Sequence, residues 1–142
     1  YAIGSLFALL HDVFITLGIL IFMNMEISIS IIAALLTIVG YSLNDTIVIY
    51  DRIRENMSAN PYRDKKKIFN KSLNQTLNRT LVTSLTTLIV VVVLYFYGGN
   101  VLQPFSIALI IGVILGTYSS IFIASPVTLF LEEKYNIETE ED

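Results

Sequence analysis

Two carboxylates, a guanidinium and a histidine stand where charge is hardest to hold. Asp45, beside Asn44, interrupts an apolar run that extends from Ile27 to Tyr50; His11 and Asp12 interrupt the run from Ile3 to Met23; Arg79 stands at the margin of a third. An ionisable side chain in the middle of a membrane helix costs about 2.5–3.5 kcal/mol on insertion scales, so each of these needs a reason. A membrane-buried carboxylate serves either proton or ion coupling or a static tether to an arginine or asparagine, and spacing alone leaves both open for Asp45. At 1.5 Å per residue it lies roughly 8 Å inside the polar boundary at Asp51. Tyr41 lies one turn before it on the same face. His11 alone reads as a satisfied core or interfacial histidine.

The elements that must position these groups are membrane helices. Of 142 residues 54% are hydrophobic and 15% charged, where globular chains carry about a quarter charged residues. From Thr80 to Leu131 there is no Asp, Glu, Lys, Arg or His, so no water-facing surface can be built from that stretch. A helix needs about 20 apolar residues to cross roughly 30 Å of hydrocarbon. Residues 3–23, 27–50, 80–97 and 105–131 meet that need, the third being short. Turns are expected at Asn24-Met25-Glu26 and Gly98-Gly99-Asn100, with Pro104 in the first turn of the fourth helix, where proline is tolerated. Strands are disfavoured, because the runs are long, lack period-2 alternation, and must close their hydrogen bonds internally in lipid. The expected class is an all-α membrane protein, a four-transmembrane-helix bundle over residues 1–135 followed by an acidic tail, 136–142, that frays.

Lys and Arg set the orientation. Arg52, Arg54, Arg63, Lys65, Lys66, Lys67, Lys71 and Arg79 all fall in the polar segment 51–79, and Lys134 follows the fourth span. That segment is expected to be a basic cytoplasmic loop, with both ends of the chain on the same side. Its charge reads as a topology signal and an attraction to anionic head groups rather than nucleic-acid binding. With no cysteine and one histidine, no metal site and no cofactor are expected, and no serine–histidine–acid constellation suggests hydrolysis or any other enzyme. The chain starts at Tyr1 without a signal peptide and reads as a piece of a longer protein.

Helical spacing organises the uncharged polar residues. Thr76, Thr80, Thr83 and Thr87 make a stripe on the third span, and Ser5, Asp12 and Thr16 share a face of the first. Such stripes ordinarily hydrogen-bond across packed helices. Gly112, Gly116 and Ser120 form a small-xxx-small seam on the fourth, expected to serve close packing rather than transport.

The segment 40–56, GYSLNDTIVIYDRIREN, resembles the signature of the SecF family of bacterial protein-export membrane proteins. The segments LLHDV at 9–13, SLNQTLNRT at 72–80 and GTYSSIFIA at 116–124 agree. The sister SecD family carries Asp-Ala-Asn where this chain has Asn44-Asp45-Thr46, which favours SecF. The resemblance implies RND-superfamily architecture, with these spans matching helices three to six of a six-helix unit whose large periplasmic domain follows the first helix. It also implies cooperation with SecD and the SecYEG translocon, using the proton-motive force to complete preprotein translocation across the bacterial inner membrane. By position, Asp45 matches the membrane aspartate implicated in proton flow, Arg79 the basic residue facing the acidic positions, and Asn44 its polar neighbour. His11 and Asp12 match a third-helix motif in the same proton-coupling region. The rival expectations are a proton-coupled RND efflux transporter of small molecules and a non-transporting membrane scaffold.

Overall fold

Each apolar run folds as a helix, and among the described residues four helices are long and apolar enough to cross a membrane. The computed structural model describes residues 1–61 and 64–140, the side chains of 135–140 excepted. The helices are α1 (Ala2–Phe22), α2 (Ile29–Ala59), α3 (Lys65–Tyr97) and α4 (Gly99–Ser119). A single π turn (Ser120–Ala124) then leads into α5 (Ser125–Glu140). The protein is a multi-pass membrane protein, and its surface agrees: Phe7, Phe14, Phe22, Leu36, Val90 and Phe96 all point outward.

The turns have simple causes. Asn24 takes a left-handed φ of 55° between α1 and α2, a conformation asparagine tolerates, and Ser28 then caps α2 by accepting from the Ile31 amide. Gly99, at φ 74°, reverses the chain between α3 and α4. The fourth helix therefore begins at Gly99, earlier than Pro104 suggested, and carries Pro104 inside it.

The larger departure concerns the polar segment 51–79. It is mostly helix. The α2 helix runs on to Ala59, and α3 starts at Lys65, where Asp64 accepts from the Lys66 amide. Polar composition ends a hydrophobic run but does not end a helix, and nothing between Asp51 and Ala59 breaks one. Arg63 lies outside the described residues. The acidic tail expected to fray continues α5 as far as Glu140; its side chains and residues 141–142 lie outside the described residues.

The α2 and α4 helices pair at the centre, with α1 and α3 each packed on both and scarcely on one another. The central pair is parallel and in register. Gly112 meets Ile38, Gly116 meets Ser42, Ser120 bonds to Thr46, and Ala124 bonds to Tyr50. The separation is 74 residues at both hydrogen-bonded rungs. Rows of residues four apart on both helices thus interlock, a ridge-into-groove arrangement.

Two apolar clusters fill the bundle. One, at the end far from the basic segment, contains Leu20, Ile31, Ala34, Ile38, Val91 and Leu109. The other, at the basic end, contains Ala8, Ile49, Tyr50, Ile53, Phe69 and Ala124. Between them lies a belt of buried polar side chains: Asp12, Ser42, Asp45, Thr46, Thr80, Ser84, Ser119 and Ser120.

Candidate functional site

The polar belt holds both buried carboxylates, in opposite circumstances. Asp12 on α1 has no exposed surface. Ser42 of α2 and Ser119 of α4 each donate to its Oδ2 at 2.6 Å, and His11 Nδ1 lies 3.2 Å from Oδ1. Three helices therefore meet at one carboxyl group, whose Oδ2 accepts from two hydroxyls while an imidazole nitrogen lies beside its Oδ1. Partners of this kind offset the cost of burying it. His11 is half-buried. Thr16, one turn along α1, is fully buried with its hydroxyl unpartnered.

Asp45 on α2 is 3% exposed, and its buried Oδ2 has no hydrogen-bond partner. Polar groups in that state are rare and invite a functional explanation. Asp45 lies on the α3-facing side of α2. Along that seam Tyr41 bonds to Ser84, Arg52 to Gln75, and Asn56 to both Ser72 and Gln75. Arg79 is exposed and makes no direct ion pair with Asp45. It instead lines a polar cleft of about 420 Å³ with Asp51, Arg52, Glu55, Gln75, Thr76 and Val48. Asn44 is exposed on the opposite side of α2 from the core. The structure thus brings Asp45 and Arg79 to neighbouring turns of one seam, His11 and Asp12 to another, and leaves Asn44 apart.

The small-residue seam of α4 lies wholly against α2. A Cβ at Gly112 would collide with Ile38, whereas one at Gly116 would sit 3.5 Å from Ser42 Cβ and 3.7 Å from Asp12 Oδ2. Gly116 therefore leaves room for the Asp12 cluster. Ser120 Oγ is 3.2 Å from Thr46 Oγ1. On α3 the buried stripe is Ser72, Thr76, Thr80 and Ser84; the expected members Thr83 and Thr87 are only half-buried and return their hydroxyls to the preceding turn. A strict four-residue step follows the seam of a tilted helix, and the seven- and eleven-residue offsets drift off it. On α1, Asp12 and Thr16 are buried as grouped, while half-buried Ser5 bonds to Ala2 O.

Several functional groups had no prominence in the sequence: Ser42 and Ser119 on Asp12, the Tyr50–Thr128 pair (2.7 Å), and Thr117. The available signal was depth. A buried carboxylate demands donors at its own level, and each neighbouring span offers a serine there. At the basic end, outside the spans, burial and the nearby Glu132 carboxylate push the Tyr1 hydroxyl up to about 12, so it remains neutral. Among the described residues no three His, Cys, Asp or Glu side chains cluster as metal ligands.

Comparison with known proteins gives this arrangement a family. Residues 1–134 match the family described as protein export membrane protein SecD/SecF, C-terminal. The protein translocase subunit SecF of Rhodothermus marinus is 51% identical over 140 residues, covering 94% of this chain and 46% of that protein. The subunit of the same name from Thermodesulfovibrio yellowstonii is 52% identical, covering 92% of this chain and 44% of that protein. The chain thus spans less than half the length of these two relatives. Among solved structures, SecDF in its super-membrane-facing form superposes with a TM-score of 0.91 at 44% identity, over 98% of this chain and 19% of that one. SecDF from Thermus thermophilus, a translocon-associated membrane protein, gives 0.87 at 47% identity, over 95% of this chain and 18% of that one. The polar belt lies within the matched residues, and the chain belongs to the SecD/SecF C-terminal family of protein-export membrane proteins.

Proposed function

We propose that this chain is the membrane motor portion of a protein-export subunit of the SecF type. In this role it works with SecD, draws on the proton-motive force and helps to complete preprotein translocation through SecYEG. Its setting is the bacterial inner membrane, with the basic segment and both ends of the chain on the cytoplasmic side, as the Lys/Arg asymmetry supports. The observation that carries the proposal is the buried, unpartnered Oδ2 of Asp45 in a bundle that superposes on SecDF.

Proton coupling needs a carboxylate whose surroundings differ between two conformations, because each state then has its own proton affinity. Asp45 suits that task. Its free oxygen can take a proton, and it stands one turn from a polar cleft that holds the permanently charged Arg79. Approach of the guanidinium favours the ionised form; withdrawal favours the protonated one. Asn44 flanks the carboxylate on the surface of α2. Asp12 and His11 supply a second acidic position, already hydrogen-bonded by Ser42 and Ser119, which holds α1 in place while Asp45 cycles.

The test is export by the full-length subunit with SecD and SecYEG in vesicles carrying an imposed proton gradient. Asp45→Asn preserves size but cannot titrate. It is expected to fold, bind SecD and lose at least tenfold of the gradient-dependent export. Arg79→Lys keeps the charge without the planar fork and is expected to lose less. Normal gradient-dependent export by Asp45→Asn would make the residue a static tether and leave the chain a scaffold.

A further inference from the structure

Three helices each contribute one hydroxyl to a chain of hydrogen bonds that lies one turn beyond Asp45. Tyr41 of α2 donates to Ser84 of α3 at 2.9 Å; Ser84 lies 2.6 Å from Thr117 of α4; Thr117 donates onward to the Val113 carbonyl at 2.8 Å. We propose that Tyr41, Ser84 and Thr117 form a gate that seals the bundle on the side of Asp45 away from the basic segment, so that in this conformation Asp45 communicates only with the basic end. The gate deepens the motor role proposed above and rests on it for its purpose, while its geometry stands independently.

The placement follows from helix direction. The α2 and α3 helices are antiparallel, so Tyr41, four residues before Asp45, and Ser84, four residues after Thr80, both lie about 6 Å farther from the basic end. Beyond them the interior is mainly apolar, built on Ile38, Ala34, Val91, Leu109 and Leu20, with only the Thr16 and Ser106 hydroxyls buried on that side among the described residues. On the other side of Asp45 the interior is different. Val48 and Thr76 line the 420 Å³ cleft together with Asp51, Arg52, Gln75 and Arg79, which gives water both room and partners. Asp45 and Thr80 are therefore between a wettable vestibule and a hydroxyl lock backed by a mainly apolar layer. Every hydroxyl in the lock is satisfied, and Ser84 is 8% exposed. Parting α3 from α2 or α4 must break the chain and strand its members in apolar surroundings. Access to Asp45 from the far side thus requires one concerted event at three helices.

The experiment uses the full-length subunit in complex with SecD in sealed vesicles, with Thr80→Cys as reporter. This chain has no cysteine of its own, and Thr80 is buried between the cleft and the lock. A membrane-impermeant methanethiosulfonate is added from one side at a time. The expected result is reaction from the basic side and protection from the far side. Either Tyr41→Phe or Ser84→Ala should raise the far-side rate at least tenfold, while Ser84→Thr, which keeps a hydroxyl, should preserve protection. Basic-side reactivity and SecD binding report folding in each variant. A far-side rate unchanged by both Tyr41→Phe and Ser84→Ala, or no reaction from either side in any variant, overturns the gate. Because labelling does not depend on titration of Asp45, normal export by Asp45→Asn would remove the proton role and leave the labelling result standing.

Discussion

Ser42 on α2 donates its hydroxyl to Asp12 on α1 at 2.6 Å, and the carboxylate that receives it has no exposed surface. With Ser119 on the same oxygen, this one side chain ties together α1, α2 and α4. Removing either serine is expected to destabilise the bundle by about 1 kcal/mol, in the range of single interhelical hydrogen bonds in membranes. Asp12→Ala strands the Ser42 hydroxyl and removes the partner of His11, while Ser119 keeps the Gly116 carbonyl at 3.2 Å, and about 1–3 kcal/mol is expected. Detergent-driven unfolding in mixed micelles measures the difference. Equal stability of Asp12→Ala and the parent would show that the cluster bears no structural load.

Glycines on the same seam should respond differently. Gly112 has no room for a Cβ against Ile38, whereas a Cβ at Gly116 makes ordinary contact. Gly112→Ala is expected to cost about 1–3 kcal/mol through overpacking, and Gly116→Ala less than about 1 kcal/mol. Gly116→Leu should be severe, since its side chain would enter the Asp12 cluster. Similar losses for the two alanine variants would mean that spacing, rather than the facing residue, governs the seam.

Tyr50 joins α2 to the far side of the π turn, donating to the Ala124 carbonyl at 2.9 Å with Thr128 Oγ1 at 2.7 Å. Tyr50→Phe is expected to lower stability by about 1–2 kcal/mol. A double-mutant cycle with Thr128→Val should show coupling of about 0.5 kcal/mol or more. Strict additivity would place the energy in the carbonyl contact alone.

Topology is open to direct labelling in a chain without cysteine. Asn60, which ends α2, and Asn100, in the first turn of α4, stand at opposite ends of the bundle. Asn60→Cys is expected to react only from the cytoplasmic side of an intact inner membrane, and Asn100→Cys only from the other. Labelling of both from one side is incompatible with four spans.

Much of this was legible in the sequence, and what was not has identifiable causes. The four helices follow from run length, and Asp12, Asp45, Gly112 and Gly116 stand out by type and spacing. The ends of α2 and α3 did not, because hydropathy locates the lipid boundary while the helices continue past it, to Ala59 and from Lys65. Asp64 was the missed signal, an N-cap residue ahead of a polar helix. Pro104 misplaced the start of α4 because Gly99, with its left-handed backbone, already completes the turn. Partnerships were the least legible layer. Ser42 and Ser119 are ordinary residues until the relative depth of α1, α2 and α4 is known, and no single helix encodes that depth.

The π turn at Ser120–Ala124 has a mechanical consequence. It amounts to one surplus residue in an otherwise α-helical rod, with Ser125 Oγ returning to the Ser120 carbonyl across five positions and Pro126, which has no N–H, directly after it. Deleting Phe122 should anneal the rod into plain α-helix with the segments on either side still in phase, because the wide turn absorbs the surplus residue; the same deletion in regular α-helix would rotate everything beyond it by about 100° and draw it in by about 1.5 Å. Thr128 would remain against Tyr50, and Gly112 and Gly116 would stay on α2. The turn is a store of slack that takes up one residue of chain and hands α5 on in phase, with Ser120 and Ala124 still holding Thr46 and Tyr50.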